Sequence, residues 1–250
     1  MAEEQKFPSE IIDLPSEGRF YPEGHPLESG KIEINYMTAR EEDILTSTNL
    51  FKKGVVINKL LQSLIIDKNI NIDDMILGDK NAVMVAARVL AYGPEYTCEV
   101  QNQTTGQPFT HTFNLADCPF IHAPKESTEN LFEVTLPISK KKVEFKLLTG
   151  HEEKLINRDL KASKKTGSQV SPELSTRFRY LINSVDGDTS AKVINDFSKN
   201  ILSRDSLYLR QEIQSKSPDI DLKQEIDMEG EQVEVVIPLT VEFFWPKTRR

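Results

Sequence analysis

The chain has 250 residues, 28% of them charged and 38% from the AVILMFWYC set, which suits one large or two small folded domains rather than a disordered chain. A net charge of −8 argues against bulk binding to nucleic acid or anionic membrane, since both require an excess of Lys and Arg. Two cysteines, Cys98 and Cys118, make no disulfide framework, no apolar run approaches the ~20 residues that cross a bilayer, and the acidic first residues do not resemble a signal peptide, so a reduced, soluble, cytosolic protein is expected.

In residues 7–30, Pro8, Pro15, Pro22 and Pro26 stand among Gly18, Gly24 and Gly30. Proline removes backbone donors and fixes φ, so this segment is neither helix nor central strand. Yet Phe7, Ile11, Ile12, Leu14, Phe20, Tyr21 and Leu27 are too apolar for a solvated linker. An extended arm over residues 1–30 is expected, packed on its own domain or on a neighbouring subunit. Residues 31–37 alternate, with Ile32, Ile34 and Tyr36 on one face, as a half-buried strand does. Thr38 then precedes Glu41 by three residues, the spacing of a capping box. Glu41, Glu42 and Asp43 fall in the first turn of that helix, where negative charge suits the dipole. The helix should run to about Lys53 and stop at Gly54. Val56, Leu60, Leu61 and Leu64 mark another helix over residues 55–66. Residues 79–92 form an apolar core helix ended by Gly93-Pro94. Strands at residues 96–100 and 109–115 are joined by a turn.

Residues 118–130 read as a linker. Beyond it, residues 142–156, KVEFKLLTGHEEKLI, repeat residues 31–45, KIEINYMTAREEDIL, in register. Thr149 and Glu152 reproduce the spacing of Thr38 and Glu41. A lysine-rich mobile loop over residues 161–172, a helix over residues 191–214 and a hairpin over residues 220–241, turning at Glu229-Gly230, follow. Each half reads strand, capped helix, further helix, β-hairpin. The expected fold is α+β with two related halves, residues 31–125 and 126–250, behind an extended Pro/Gly-rich N-terminal arm.

No catalytic constellation emerges. Adjacent glutamates on a helix point in different directions, so Glu41-Glu42 and Glu152-Glu153 read as helix starts rather than acid/base pairs. His111 and His122 flank Cys118, but no histidine sits at zinc spacing. The glycines form no phosphate-binding loop. Asp186-Gly187-Asp188 is a turn rather than a calcium loop. Arg88, Arg204 and Arg210 interrupt apolar helices, and a buried arginine must be paired, so an ion pair with a capping carboxylate is expected for Arg88. The lysines near residues 161–165 lack interleaved aromatics and read as a solvated loop. Phe243, Phe244 and Trp245 are either a last core strand or an anchor for a partner.

The stretches LPSEGRFYPEGHPLESGKIEINYMTAREEDILTS, LLQSLI, GDKNAVMVAARVLAYG, FKLLTGHEEKLI and FFWP, spread over residues 7–246, resemble the baseplate hub proteins of T-even-like contractile-tailed bacteriophages. TAREEDILTS and GDKN with its AAR are the most specific of them. The resemblance implies a non-enzymatic morphogenesis protein of the phage tail, either a hub subunit or a hub assembly factor. It would work in the host cytoplasm during assembly, and in the virion tail baseplate if it stays. Its partners would be other hub or tail proteins, with no nucleic acid, membrane, small-molecule substrate, metal or other cofactor. Many relatives resemble small zinc ribbons at their hairpin tips; this chain has no cysteine at residues 101–107 or 228–233. Candidate partner contacts are Phe7, Ile11, Leu14, Phe20 and Tyr21 in the arm and Phe243, Phe244 and Trp245 at the end. On this reading the arm is dispensable for folding. The other classes left open are a transient assembly chaperone absent from the virion and an enzyme with an unrecognised site.

Overall fold

A computed structural model describes residues 8–101, 106–165, 171–228, 231–239 and 241–245. The chain opens with strand β1 (Ser9–Asp13), continues through turns, and returns as β2 (Lys31–Asn35). Helices α1 (Ala39–Thr46), α2 (Thr48–Lys53), α3 (Val56–Leu64) and α4 (Leu77–Tyr92) follow, then strands β3 (Glu95–Gln101) and β4 (Pro108–Asn114). After β5 (Phe120–Ile121) come β6 (Phe132–Thr135), β7 (Lys142–Phe145), α5 (Gly150–Lys165) and α6 (Glu173–Leu181). The rest is β8 (Ile182–Val185), α7 (Ala191–Asn200), α8 (Ser203–Lys216), β9 (Asp219–Ile220), β10 (Lys223–Met228) and β11 (Glu231–Val236). The fold is thus mixed α and β, with eight helices among the described residues and only small antiparallel sheets.

Strand pairing explains residues 8–30. β1 pairs with β2 along its whole length, Ile12 opposite Ile32, so the expected boundary at residue 30 falls inside a hairpin. Leu14, Phe20, Tyr21 and Leu27 are buried in the chain's own core. The segment therefore packs on its own domain, one of the two surfaces expected for it. Apolar side chains at that density lose too much by exposure to remain outside.

The helices follow their local signals with two exceptions. In α3, Val56, Leu60, Leu61 and Leu64 are the buried face. Gly54, in the left-handed region at φ 71°, ends α2. The helix expected from Thr38 to Lys53 breaks at Ser47, which is extended at ψ 103°. The helix expected over residues 191–214 breaks at Ile201 (ψ 134°) and Leu202 (ψ 142°), both outside the helical region. That second break restarts a helix at Ser203 and puts Asp205 in its first turn. There the carboxylate accepts Ile138 N–H (2.8 Å) and Ser139 N–H (3.0 Å).

Two elements lie where a loop was expected. Residues 161–165 belong to α5, since Lys and Ala are good helix formers. β5 lies inside the expected linker and pairs with β9, Phe120 opposite Ile220. The three-stranded sheet β6-β7-β8 includes two strands, and α6 is a helix, that were not anticipated. Asp186-Gly187-Asp188 is a turn, as expected, with Asp186 held by Lys141 Nζ (2.8 Å) and Lys142 N–H (2.9 Å). The turn expected between residues 101 and 108, the turn expected at Glu229-Gly230 and part of the loop expected over residues 161–172 fall on residues 102–105, 229–230 and 166–170, which lie outside the described residues.

One hydrophobic cluster runs through the whole molecule, from Leu14 to Phe244. The segments before α4 and α5 join within it: Leu77 N–H bonds Leu148 O (3.1 Å) and Gly150 N–H bonds Met75 O (3.0 Å).

Candidate functional site

The two Thr-x-x-Glu spacings both form caps. Glu41 Oε2 accepts Thr38 N–H (3.0 Å) and the Thr38 hydroxyl (2.6 Å). Glu152 Oε2 accepts Thr149 N–H (3.0 Å) and the Thr149 hydroxyl (2.5 Å), and its Oε1 meets Lys146 Nζ at 2.6 Å. Burial alone would raise the Glu152 carboxyl, but the Lys146 and Thr149 hydrogen bonds outweigh it and hold the group at about 2. Both glutamates are committed to the backbone.

GDKN, at the start of α4, is a junction of distant segments. Gly78 lies against Pro218, where a Cβ would come 1.8 Å from the Pro218 carbonyl oxygen. Asp79 is fully buried and accepts Ser16 N–H (2.9 Å), the Ser16 hydroxyl (2.6 Å) and the Tyr21 hydroxyl (2.7 Å). Burial raises its pKa, while those three donors oppose the rise. Burial also raises the Tyr21 phenol, reinforced by the Asp79 charge, so Tyr21 stays protonated and donates. Lys80 pairs with Glu153 at 2.9 Å, and Asn81 donates to Asp219 at 3.1 Å.

Arg88 is buried but, among the described residues, is not paired with a carboxylate as expected. Its guanidinium donates to the carbonyls of Phe243 (3.0 Å), Gly93 (3.1 Å) and Glu95 (3.2 Å), and it lies over the rings of Tyr92 and Tyr96. Three carbonyls satisfy a planar fork as well as one carboxylate does. Arg204 and Arg210 are exposed.

Most of the anticipated partner contacts are core residues. Leu14, Phe20 and Tyr21, in the segment that joins β1 to β2, are buried, and Phe243 and Phe244 are fully buried, with Phe243 packed edge-on against Tyr96 at 4.8 Å. They are corrected from docking surface to internal packing. Ile11, 62% exposed, and Trp245, 37% exposed, remain on the surface; Phe7 lies outside the described residues. The histidines do not converge: His111 packs against Phe113, and His122 Nδ1 meets Pro15 O at 3.0 Å. Cys98 and Cys118 are both buried and are not joined in a disulfide. Among the described residues, no group of three His, Cys, Asp or Glu side chains is placed to hold a metal ion. No described helix is long and apolar enough to cross a membrane.

The largest concave feature of the cavities seen is a groove between the α2–α3 corner and α5. Its outer part, about 710 Å³, is lined by Lys53, Lys154, Asn157, Arg158, Lys161 and Lys165. The Lys161 ammonium rests over Gly54, 3.4 Å from where a Cβ would stand. Through Gly54, Val55, Lys154 and Asn157 it continues into an inner part of about 320 Å³ that includes Ile57, Leu77, Met84 and Leu239. Lys154 pairs with Asp73, and Arg158 with the adjacent Asp159 at 3.3 Å. The sequence signal for this feature is the i, i+4, i+7, i+11 spacing of Lys154, Arg158, Lys161 and Lys165, legible only once the segment is known to be helical.

No protein-family model, curated protein or solved structure matches this chain.

Proposed function

We propose that the chain is a non-enzymatic morphogenesis protein of a contractile-tailed phage, acting in assembly of the baseplate central hub through protein–protein contacts. Its partners on this reading are other hub or tail proteins. It works in the host cytoplasm, as a hub subunit or as a factor that leaves before the virion is complete. One observation carries the reading. GDKN, among the most family-specific stretches of the resemblance, is an architectural junction of three distant segments: Gly78 and Asn81 meet Pro218 and Asp219, Asp79 meets Ser16 and Tyr21, and Lys80 meets Glu153. The side chains that carry the likeness thus build shape, which is what a protein acting through its surfaces requires.

We infer further that the molecule consists of two related units. Leu14 N–H to Gly30 O (2.8 Å) and Leu136 N–H to Lys141 O (2.9 Å) close the β1–β2 and β6–β7 hairpins in the same way. Each hairpin leads into a Thr-x-x-Glu cap. Asp79 and Asp205, in the first turns of α4 and α8, each accept backbone N–H groups from the loop of the corresponding hairpin. Each unit then ends in a further hairpin, β3–β4 or β10–β11. Such agreement in order and in hydrogen bonding supports a duplication.

The test is co-sedimentation. In extracts of infected cells, the chain should travel with hub-containing tail intermediates, and mass spectrometry of finished tails then separates subunit from departing factor. A chain found only in the free protein fraction at every stage of infection would contradict the proposal.

A further inference from the structure

A chain of net charge −8 gathers five cations on one groove. Lys154, Arg158, Lys161 and Lys165 form a stripe roughly 16 Å long on one face of α5. Lys53 faces them from the end of α2, and the N-terminal end of α3, with its positive dipole, opens on the same space. Lys53, Lys161 and Lys165 have no ion pair among the described residues. Holding like charges together costs stability within the chain, and a negative ligand offsets that cost.

The lining narrows the ligand class. No aromatic side chain lines the cationic part, so bases would find no stacking platform there. The inner part instead sets Ile57, Leu77, Met84 and Leu239 beside the polar Asn58, Asn81 and the Lys80–Glu153 pair, with room for a large side chain. A cationic stripe leading to a seat that mixes apolar and polar groups matches a peptide, whose side chains vary along its length, more closely than a polyanion of uniform chemistry.

We propose that this groove docks an acidic segment of a partner protein, with an apolar side chain seated at the inner end and carboxylates laid along the stripe of α5. The inference deepens the protein–protein reading above and rests on it for the partner's being a protein. It assigns a role to lysines that read from sequence as a solvated loop.

The probe is a short fluorescein-labelled synthetic peptide, one leucine followed by glutamates at helical spacing, titrated with the full chain and followed by anisotropy. Binding is expected, falling as salt rises. Lys161→Glu with Lys165→Glu should weaken it by about tenfold or more, as charge reversal in a complementary interface does. Asn157→Trp, which blocks the passage to the inner end, should weaken it as well. All three positions are exposed, so melting temperatures near that of the native chain will show that the variants fold. The same peptide with glutamines should not bind. No binding by the native chain, undiminished binding by the charge-reversed variant, or equal or tighter binding of a single-stranded oligonucleotide of the same charge would overturn the proposal. Any of these outcomes leaves the hub reading standing, because that is measured on tail intermediates.

Discussion

At Thr149 a single carboxylate fixes a helix start and makes it sensitive to acid. Glu152 accepts from Thr149 N–H, the Thr149 hydroxyl and Lys146, and is held at about 2. An unfolded glutamate titrates near about 4.3. Between those values the unfolded chain binds more protons than the folded one, so this contribution is complete above the unfolded value and is lost as pH falls toward 2. Glu152→Gln should lower stability at neutral pH by about 1–2 kcal/mol and flatten the acid limb of the profile below about pH 5. Urea unfolding of both proteins across that range checks it; parallel profiles would show that Glu152 carries no linkage. The cap was legible in the sequence because its partners lie three residues apart. Asp79 was not: Ser16 and Tyr21 are 63 and 58 residues away, and nothing local marks a carboxylate that will be buried.

Among elements, the hairpin and turns of residues 8–30 differ most from what their composition implies. Four prolines and three glycines do exclude helix, and the segment is indeed strand and turns. Composition does not say which surface the apolar residues meet, and that surface is the chain's own core beside α4. Deletion of residues 1–30 would expose core residues and leave Asp79 buried without Ser16 or Tyr21, so the truncated chain should fail to fold. Near-ultraviolet circular dichroism and urea titration decide this; a cooperative, native-like transition would refute the embedding described for β1 and its turns. Helix α3 and the hairpin β3–β4 were readable from periodicity, since their burial follows their own pattern. The breaks at Ser47 and at Ile201-Leu202 were not. No glycine or proline marks them, and the second is held by Asp205 bonding to a loop 66 and 67 residues earlier in the chain.

On the scale of the molecule, one core takes in both halves of the chain, and the contacts that join them are specific: Lys80 with Glu153, Asn81 with Asp219, Phe120 beside Ile220, Arg88 on the Phe243 carbonyl. The likeness of residues 142–156 to residues 31–45 was visible in sequence, whereas the joining of both stretches in one core depends on pairings that no local pattern encodes. The groove between α2–α3 and α5 exists only because those helices meet. A scaffold so tied together offers its surfaces as a fixed set, which is what an assembly protein presents to its partners. On the proposed reading, the decisive measurement is made on infection by the phage that would encode this chain, with a stop codon in place of Lys31 and tail intermediates separated by sedimentation. Baseplates without a central hub should accumulate, and supplying the intact chain from a plasmid should restore complete tails. Complete tails and undiminished infectious titre without the chain would contradict a role in hub assembly.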